Sequence, residues 1–433
     1  MQYPETTSSV EPRWQSLLIN ALRFALAFVF LFSGFVKATD PAGTAIKLTE
    51  YADLFGLSSL ATPRLLLWGA RLLCLAEFLP AVCLLFGIHC RKSLVWLLAF
   101  LCVMTLLTFY LALANPISDC GCFGDAVKLT NWQTFAKNLV LLAMVIPVLI
   151  NSEMVARLVS PSLQWVVVVF AVVSLLVYMQ WNVRHLPAID FRPYHVGADI
   201  RSGMSIPDDA EQPEYETLFT LEREGETQEF TAQDYPYADT TWHFVSSHTR
   251  LLREGYVPAI QGFELVDEAD GTDVTDDVLD ADYAWLVVMP SLDDESTLDI
   301  INDLYDYSQL YGYPFYALTS ATHDDIDRWR TDTGARYPFC LLDETVLTTI
   351  VRSNPGLVLL KQGVVAAKWS RHDLPDDTVL DDSLDRLPSL LTTRRDLSHR
   401  YLTLFVWMFF PYLFLPLLER LVRRKEKKES QSY

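Results

Sequence analysis

The chain has 433 residues, enough for two or three domains, and 51% of them are hydrophobic. Its formal charge of −20 comes from 54 acidic residues against 34 basic ones. This balance argues against nucleic acid as a partner, because no basic face is available to neutralise phosphates. The hydrophobic residues are concentrated in long blocks, which indicates an integral membrane protein.

Six apolar blocks approach or reach the about 20 residues that cross the hydrocarbon core of a bilayer. They lie near residues 17–35, 65–88, 94–114, 135–150, 165–181 and 402–422. The basic tail at 423–428 is the strongest cytoplasmic signal in the chain, so both termini are predicted inside. We expect the first block to be retained as an anchor, since it lacks a small-x-small cleavage site.

The predicted fold class is a membrane α-helical bundle of six transmembrane helices plus an α/β external domain with a small β-rich segment before it. The expected location is the bacterial inner membrane, with a large periplasmic domain. An amphipathic helix on the outer surface is predicted within 41–60. The predicted parts are a four-helix membrane domain (1–151), a fifth transmembrane helix and linker (152–184), a β-rich segment (185–262), the α/β domain (263–395), and a sixth transmembrane helix with a basic cytoplasmic tail (396–433).

A short polar loop between the third and fourth blocks carries Cys120, Gly121 and Cys122. A disulfide needs Cα atoms within about 4.4–6.8 Å, so the backbone must bend, and Gly121 permits such bends. A bridge across one residue removes little chain entropy and is expected to be labile rather than structural. The sequence therefore predicts a redox pair. A structural disulfide and a metal site with Asp119 and Asp125 remain as alternatives.

Two charged residues of the predicted spans are further candidates for this site. Glu77 lies near the middle of the second span, where an ionisable group usually faces a bundle interior or a cavity. It either serves as a proton site beside a quinone-like ligand, or pairs with Arg71 or with the backbone and only fixes helix packing. Lys37, at the outer end of the first span, either favours a nearby thiolate or reaches the lipid headgroups. The candidate catalytic residues are thus Cys120 and Cys122, with Glu77, Lys37 and Asp125 as possible contributors.

Two sequence patterns resemble known membrane families over about residues 18–150. Residues 32–37 (Phe-Ser-Gly-Phe-Val-Lys) and the combination of Arg71 with Glu77 resemble DoxX-type proteins. The stretch 119–125 followed by 132–138 is similar to the MauE branch, which is linked to disulfide handling in methylamine utilisation. Related four-helix families are associated with thiol and quinone redox. The resemblance therefore implies this chemistry, with a quinone as the candidate carrier.

The polar segment shows the element order of a thioredoxin-like fold. Strands are predicted at 285–289, 315–318 and 339–342, helices at 298–310, 324–332 and 346–351, and a hairpin at 356–360 and 364–369. Asn354-Pro355-Gly356 stands where this fold carries a cis-proline loop. Residues 290–294 (Pro-Ser-Leu-Asp-Asp) replace the Cys-x-x-Cys of the family, so the domain is expected to be redox-inactive.

Two features of the polar segment carry lesser predictions. In the β-rich segment, short strands are predicted at 215–221 and 228–231 around a turn. Cys340, between apolar neighbours, is expected in the core. The alternative is that Cys340 serves as a resolving thiol for the pair in the loop.

These patterns favour an inner-membrane protein in which Cys120 and Cys122 cycle at the periplasmic face and pass electrons to a carrier such as a quinone. Such a protein would be a thiol:quinone-type oxidoreductase. The rival hypothesis is a non-enzymatic envelope scaffold or assembly factor that uses the redox-inactive domain for protein binding. The expected partners are the lipid bilayer and a periplasmic or membrane protein, and no metal is expected.

Overall fold

The N-terminal part of the chain is a bundle of helices. The computed structural model describes residues 13–117, 119–207, 209–211, 214–223, 226–231, 234–235, 241–253, 255–293, 295–376 and 378–429. The helices of the bundle are α1 (Arg13–Thr39), α2 (Pro41–Leu54), α3 (Pro63–Phe86), α4 (Cys90–Ala114), α5 (Asn131–Ile150) and α6 (Gln164–Arg184). All of them except α2 are long and apolar enough to cross a membrane, as predicted for the first five blocks.

Local capping explains where these helices begin and end. Thr62 caps α3 ahead of Pro63, and α3 stops at Gly87, whose φ of 70° is left-handed. A capping box between Thr130 and Gln133 starts α5, each side chain bonding to the backbone of the other residue. The helix therefore begins at Asn131, four residues before the apolar block that marked it in the sequence.

One glycine allows α1 and α3 to pack closely. A Cβ placed on Gly34 would lie 3.0 Å from the Phe78 Cβ and 3.3 Å from the Cys74 carbonyl oxygen. A side chain at this position would push the two helices apart, so glycine favours their close approach. As a result, Ser33 and Lys37 of α1 face Glu77 of α3.

A polar domain follows α6 and contains two sheets. Its elements are α7 (Ile200–Met204), β1 (Glu214–Arg223), β2 (Glu226–Thr231), β3 (His243–Arg253), β4 (Val266–Asp267), α8 (Thr275–Asp280), β5 (Ala284–Val288), α9 (Leu298–Tyr311), β6 (Phe315–Thr319), α10 (His323–Thr333), β7 (Phe339–Leu341), α11 (Glu344–Ile350), β8 (Gly356–Lys361) and β9 (Val364–Ser370). The first sheet has three antiparallel strands in the order β2-β1-β3. The second has six strands in the order β4-β7-β6-β5-β8-β9.

The six-stranded sheet is mixed. Strands β5, β6 and β7 run parallel, whereas β4, β8 and β9 pair antiparallel to their neighbours. The strands and helices predicted between 285 and 369 are all present. Four elements are not predicted from the sequence: β4, α7 and α8, which are very short, and β3, which depends on pairing with the distant β1. The peptide bond between Asn354 and Pro355 is cis.

Cys340 lies in the core of the polar domain. It is fully buried in β7 and belongs to the apolar cluster that also contains Leu318 and Leu347. Burial raises the pKa of its thiol to about 12. The expectation of a core cysteine therefore fits, whereas the alternative role as a resolving thiol does not.

A last helix, α12 (Arg394–Glu429), returns to the bundle. The Tyr412 ring packs 5.8 Å from Phe86 and 5.1 Å from Phe170, centroid to centroid. The Glu419 carboxylate accepts a hydrogen bond from the Ser160 backbone at 2.9 Å. The five helices that meet the criteria for a span within the described residues do not include α12, so the sixth transmembrane helix stays a prediction.

The polar domain lies at the end of the bundle that carries the cysteine loop. Arg352, just after α11, donates to Asp40 at 3.0 Å and lies 3.8 Å from Asp125. At the same end, Arg192 of the linker pairs with Asp190 at 2.8 Å. The cysteine loop and the polar domain thus share one side of the bundle, as predicted. Which compartment that side faces stays a prediction.

Candidate functional site

The two thiols of the loop lie next to each other. The Sγ atoms of Cys120 and Cys122 are 3.2 Å apart. Gly121 between them has a φ of +66°, and its N–H donates to Asp119 Oδ1 at 2.8 Å. The bend expected at Gly121 is therefore present. It brings the two sulfurs within reach of a single disulfide, which is the chemistry that a close dithiol performs.

A buried ion pair lies directly beneath this loop. Lys37 Nζ is 2.8 Å from both carboxylate oxygens of Glu77, and the two side chains are 6% and 5% exposed. Lys37 also donates to Ser33 Oγ at 2.8 Å. The expectation that Lys37 reaches the lipid headgroups is therefore wrong, since its ammonium points into the bundle.

The expected pairing of Glu77 with Arg71 is also wrong. Arg71 donates to Gln180 of α6 at 2.8 Å, and its guanidinium lies 4.9 Å from the Trp68 ring centroid. The reason is geometric, since residues six apart on an α-helix are about 120° apart around its axis. Glu77 faces α1, whereas Arg71 faces α6.

The ion pair holds the backbone of the cysteine loop. The Cys122 carbonyl oxygen accepts a hydrogen bond from Lys37 Nζ at 2.7 Å and lies 2.7 Å from Ser33 Oγ. Glu77, Ser33 and this carbonyl together satisfy the three protons of the Lys37 ammonium. Two predicted site residues, Lys37 and Glu77, are thereby connected to Cys122.

The two thiols differ in acidity. A hydrogen bond from Cys120, together with the positive charges of Lys137 and Lys37, lowers the pKa of Cys122 to about 6 against the opposing effect of burial. The hydrogen bond to Cys122 and burial raise the pKa of Cys120. Cys122 is therefore the thiolate of the pair at neutral pH.

Two further residues of the site were missed by sequence reasoning. Tyr51 of α2 donates its hydroxyl to the Cys120 carbonyl oxygen at 3.1 Å, and burial raises the pKa of this phenol. Lys137 of α5 stands 4.5 Å from the Phe123 ring centroid. Tyr51 gave no signal beyond a helical pattern, whereas Lys137 lies within the stretch 132–138 that follows the cysteine loop.

A largely apolar cavity of about 280 Å³, called here the membrane cavity, opens between α1, α3, α4 and α5. Apolar side chains form most of its wall, among them Phe30, Met104 and Leu107. Its polar end is made by Lys37, Glu77, Lys137, Asn138, Cys120 and Cys122. Pockets of this kind, apolar with a few polar groups at one end, are typical of small-molecule sites.

A second cavity of about 220 Å³, called here the interface cavity, lies between the bundle and the polar domain. Charged residues line it, among them Asp40, Lys47, Asp125 and Arg352. Asp125, the last predicted site residue, therefore belongs to the docking contact with the polar domain. Within the described residues, no group of three or more His, Cys, Asp or Glu side chains forms a metal site.

Five apolar helices with a dithiol at one end of the bundle define a multi-pass membrane protein. Residues 15–151 match the family described as methylamine utilisation protein MauE, which covers the bundle through α5 and the cysteine loop. Residues 215–254, which hold β1, β2 and β3, match a domain of unknown function, DUF8463. Neither a curated protein nor a solved structure matches the chain.

Proposed function

We propose that the protein is a thiol:quinone-type oxidoreductase in which Cys120 and Cys122 alternate between dithiol and disulfide. The observation that carries this proposal is the position of the pair. The two sulfurs lie 3.2 Å apart on the wall of an apolar cavity inside the membrane bundle. A thiolate whose pKa is near 6 is present at neutral pH, and the thiolate is the form that exchanges disulfides.

The electron balance of the reaction needs two partners. A dithiol on another molecule is oxidised to a disulfide while the Cys120–Cys122 disulfide is reduced. The reduced pair then gives two electrons and two protons to a quinone, which becomes a quinol. The cysteines return to the disulfide, so the net reaction moves electrons from a thiol substrate into the membrane.

The membrane cavity supports a quinone as the acceptor. Its volume is near the lower end of the about 300–1,000 Å³ typical of ligand pockets, which suits a single ring. Lys137, at the polar end of the cavity, carries an ammonium that can donate to a carbonyl oxygen, the group that a quinone presents. Glu77, buried beside Lys37, is the proposed proton site.

The polar domain is proposed to be a thioredoxin-like module without redox activity. The three parallel strands β5–β7 extended by the β8–β9 hairpin support the fold assignment. Where that fold carries its cysteines, this chain places Ser291 and Asp293. Asn354 donates to the Ser291 hydroxyl at 2.7 Å, so hydrogen bonds replace a disulfide there. Such a module recognises or positions a partner protein.

The proposed location is the bacterial inner membrane with the cysteine loop and the polar domain in the periplasm. The support is the basic run at 423–428, which marks a cytoplasmic end of α12. An oxidising compartment also suits a cysteine pair that cycles through a disulfide.

The experiment that tests this function fills the cavity. Leu107→Trp places a large side chain in the membrane cavity, whereas Leu106→Trp, one residue earlier, changes a lipid-facing position that is 72% exposed. Purified protein with the pair reduced is mixed with a short-chain quinone, and quinol formation is followed by absorbance. We expect Leu107→Trp to lower the second-order rate constant of this single turnover at least tenfold and Leu106→Trp to leave it unchanged. Equal rates in wild type and Leu107→Trp would remove the cavity from the mechanism.

The second candidate function is a non-enzymatic scaffold or assembly factor. It is favoured by the docking of the polar domain over the thiols through Arg352. Mass-tagging of thiols in intact cells separates the two ideas, with Cys120→Ser and Cys122→Ser as references. A pair that keeps one redox state when quinone supply or envelope redox conditions change would support the scaffold.

A further inference from the structure

The two cavities of the site meet at the thiol pair but do not share it equally. Cys120 lines both the membrane cavity and the interface cavity, whereas Cys122 lines the membrane cavity alone. Tyr51 and Lys37 also line both, so they form the partition between the two spaces. Cys120 is therefore reachable from both cavities, whereas Cys122 is reachable from the membrane cavity.

The walls of the two cavities differ in character. Lys47 pairs with Glu50 at 2.8 Å and lies 3.6 Å from Asp119. These charged side chains give the interface cavity a rim suited to polar, water-soluble groups. Beyond the cysteines and the Lys37–Glu77 pair, the membrane cavity is walled mostly by aliphatic and aromatic side chains. A polar thiol substrate therefore has a route to Cys120, and a lipid-soluble carrier has a route to Cys122.

We infer that the two cysteines have separate partners: Cys120 exchanges with a thiol substrate that enters through the interface cavity, and Cys122 delivers electrons to a quinone in the membrane cavity. This inference rests on the proposed function and deepens it by dividing the work of the pair. Under this assignment the interface cavity, and hence the docked polar domain, determines which thiol substrates reach Cys120.

The bonds of each step balance under this assignment. A substrate thiolate attacks Cys120 Sγ, the Cys120–Cys122 bond breaks, and Cys122 leaves as a thiolate. The second substrate thiol then attacks the substrate sulfur of the mixed disulfide, and Cys120 is released as a thiol. Two electrons then pass from the reduced pair to the quinone, together with the Cys120 proton and one proton from solvent, which balances the proton lost when the first substrate thiol ionised. The products are the quinol and the restored Cys120–Cys122 disulfide.

The acidity of the pair agrees with this order. The leaving thiol in disulfide exchange departs faster when its pKa is lower. The pKa of Cys122 is lowered to about 6, and the pKa of Cys120 is raised, so attack at Cys120 releases the better leaving group. Attack at Cys122 would have to release the poorer one.

Accessibility labelling of the full chain in nanodiscs tests the assignment. Cys122→Ser leaves Cys120, and Cys120→Ser leaves Cys122. Each variant is treated with a small sulfonate-bearing methanethiosulfonate reagent and, separately, with a long-alkyl maleimide, and peptide mass spectrometry reports each modified position. Cys102, exposed on the apolar helix α4, is the internal control for the alkyl reagent in both variants.

We expect the ratio of Cys120 to Cys122 modification to be at least tenfold higher for the charged reagent than for the alkyl reagent, since a ratio between reagents cancels the different acidities of the two thiols. Equal ratios for the two reagents would overturn the division of labour. With a peptide that carries an oxidised cysteine pair, the remaining thiol attacks the peptide disulfide and expels one peptide thiolate, so a mixed disulfide should form in Cys122→Ser and not in Cys120→Ser. The opposite pattern would also overturn the division of labour. Quinol formation by the wild type is measured in parallel. Its failure refutes the proposed redox function, whereas the labelling order reports only which cavity each thiol faces.

Discussion

Lys37 and Glu77 form a buried ion pair across α1 and α3, with the ammonium nitrogen 2.8 Å from both carboxylate oxygens. The same ammonium donates to the carbonyl oxygen of Cys122, so one cation connects two transmembrane helices to the cysteine loop. A buried pair of this kind adds little net stability by itself, but each partner depends strongly on the other. Its presence beside a thiolate indicates that it sets the position and the charge of the site.

The first prediction concerns this dependence. Glu77→Gln leaves the Lys37 ammonium buried without a counter-charge, and we expect a loss of about 3–5 kcal/mol in the free energy of unfolding. The melting temperature of protein in detergent should fall clearly. The double variant Lys37→Met with Glu77→Leu should be more stable than Glu77→Gln alone, because no charge remains buried. The control is Arg386→Gln, which breaks an exposed pair with Asp382 and should change nothing measurable. A double variant that is no more stable than Glu77→Gln would contradict the coupling.

The sequence predicted much of this arrangement and missed its central contact. The apolar blocks predicted the first five spans correctly. A helix that crosses a bilayer needs about 20 consecutive, mainly apolar residues, and this pattern is visible in a short stretch of sequence. The cysteine motif identified the two neighbouring thiols, and Gly121 identified the bend between them. The only side-chain partner that the sequence offered for Glu77 was Arg71, as one of several alternatives, since both lie on one predicted helix. The real partner, Lys37, is 40 residues away and meets Glu77 only because Gly34 lets α1 and α3 approach. Tyr51 was missed for the same reason, since its role depends on where α2 lies against the loop.

The second prediction is a pH profile. Because the pKa of Cys122 is lowered to about 6, its thiolate forms as pH rises through 6. Alkylation of reduced wild type at Cys122 should therefore increase between about pH 5 and 7 and level off above that, since the pKa sets the midpoint. Cys120, with its raised pKa, should stay unmodified over this range. The measurement is peptide mass spectrometry after brief treatment with iodoacetamide.

Two variants separate the causes of the low pH midpoint for alkylation of Cys122. Cys120→Ala removes the hydrogen bond to the thiolate, and Lys137→Gln removes a nearby positive charge, so each should move the midpoint upward. Lys128→Gln, at the interface cavity, is the matched loss of a positive charge that should leave it in place. An unchanged midpoint in both Cys120→Ala and Lys137→Gln would mean that the acidity of Cys122 has another origin.

The third prediction concerns the docking of the polar domain. Arg352→Gln removes the charge-assisted hydrogen bond to Asp40 and the contact to Asp125, a loss of about 1.5–3 kcal/mol at the contact. Hydrogen exchange at the start of α2 and in the cysteine loop should then be at least about tenfold faster, since each 1.4 kcal/mol is tenfold. The interior strands of the polar domain should exchange as before. Asp40→Asn should reproduce the effect, and adding it to Arg352→Gln should bring little more.

The control for the docking prediction is Arg336→Gln. Arg336 pairs with Asp306 at 2.6 Å on the surface of the polar domain, with both side chains more than half exposed. Removing this charge should leave exchange at the cysteine loop unchanged. Faster exchange in Arg336→Gln as well would show that general loosening of the domain, rather than loss of the Arg352 contact, accounts for the result.

The fourth prediction concerns the linker that joins the bundle to the polar domain. Lys368 and Arg192, each 2% exposed, share the Asp190 carboxylate at 2.8 Å. Burial and the charge of Arg192 lower the pKa of Lys368 to about 8, and the two cations lower the pKa of Asp190 against burial. Asp190→Asn leaves two buried cations together, so we expect a loss of about 3–5 kcal/mol at pH 7.

The pH dependence of that loss follows from the lowered pKa of Lys368. The unfolded lysine keeps its proton up to about pH 10.4, whereas the folded one loses it near pH 8, so stability rises with pH between these values. Without Asp190 the pKa of Lys368 falls further, and the ammonium that opposes Arg192 is lost at a lower pH. Asp190→Asn should therefore be most damaging near pH 7 and less so near pH 9, measured by thermal unfolding across pH. A deficit that is the same at both pH values would mean that packing, not the charge on Lys368, explains the loss. The variant Lys368→Met in the Asp190→Asn background should restore stability at pH 7, because it removes the cation that has lost its partner.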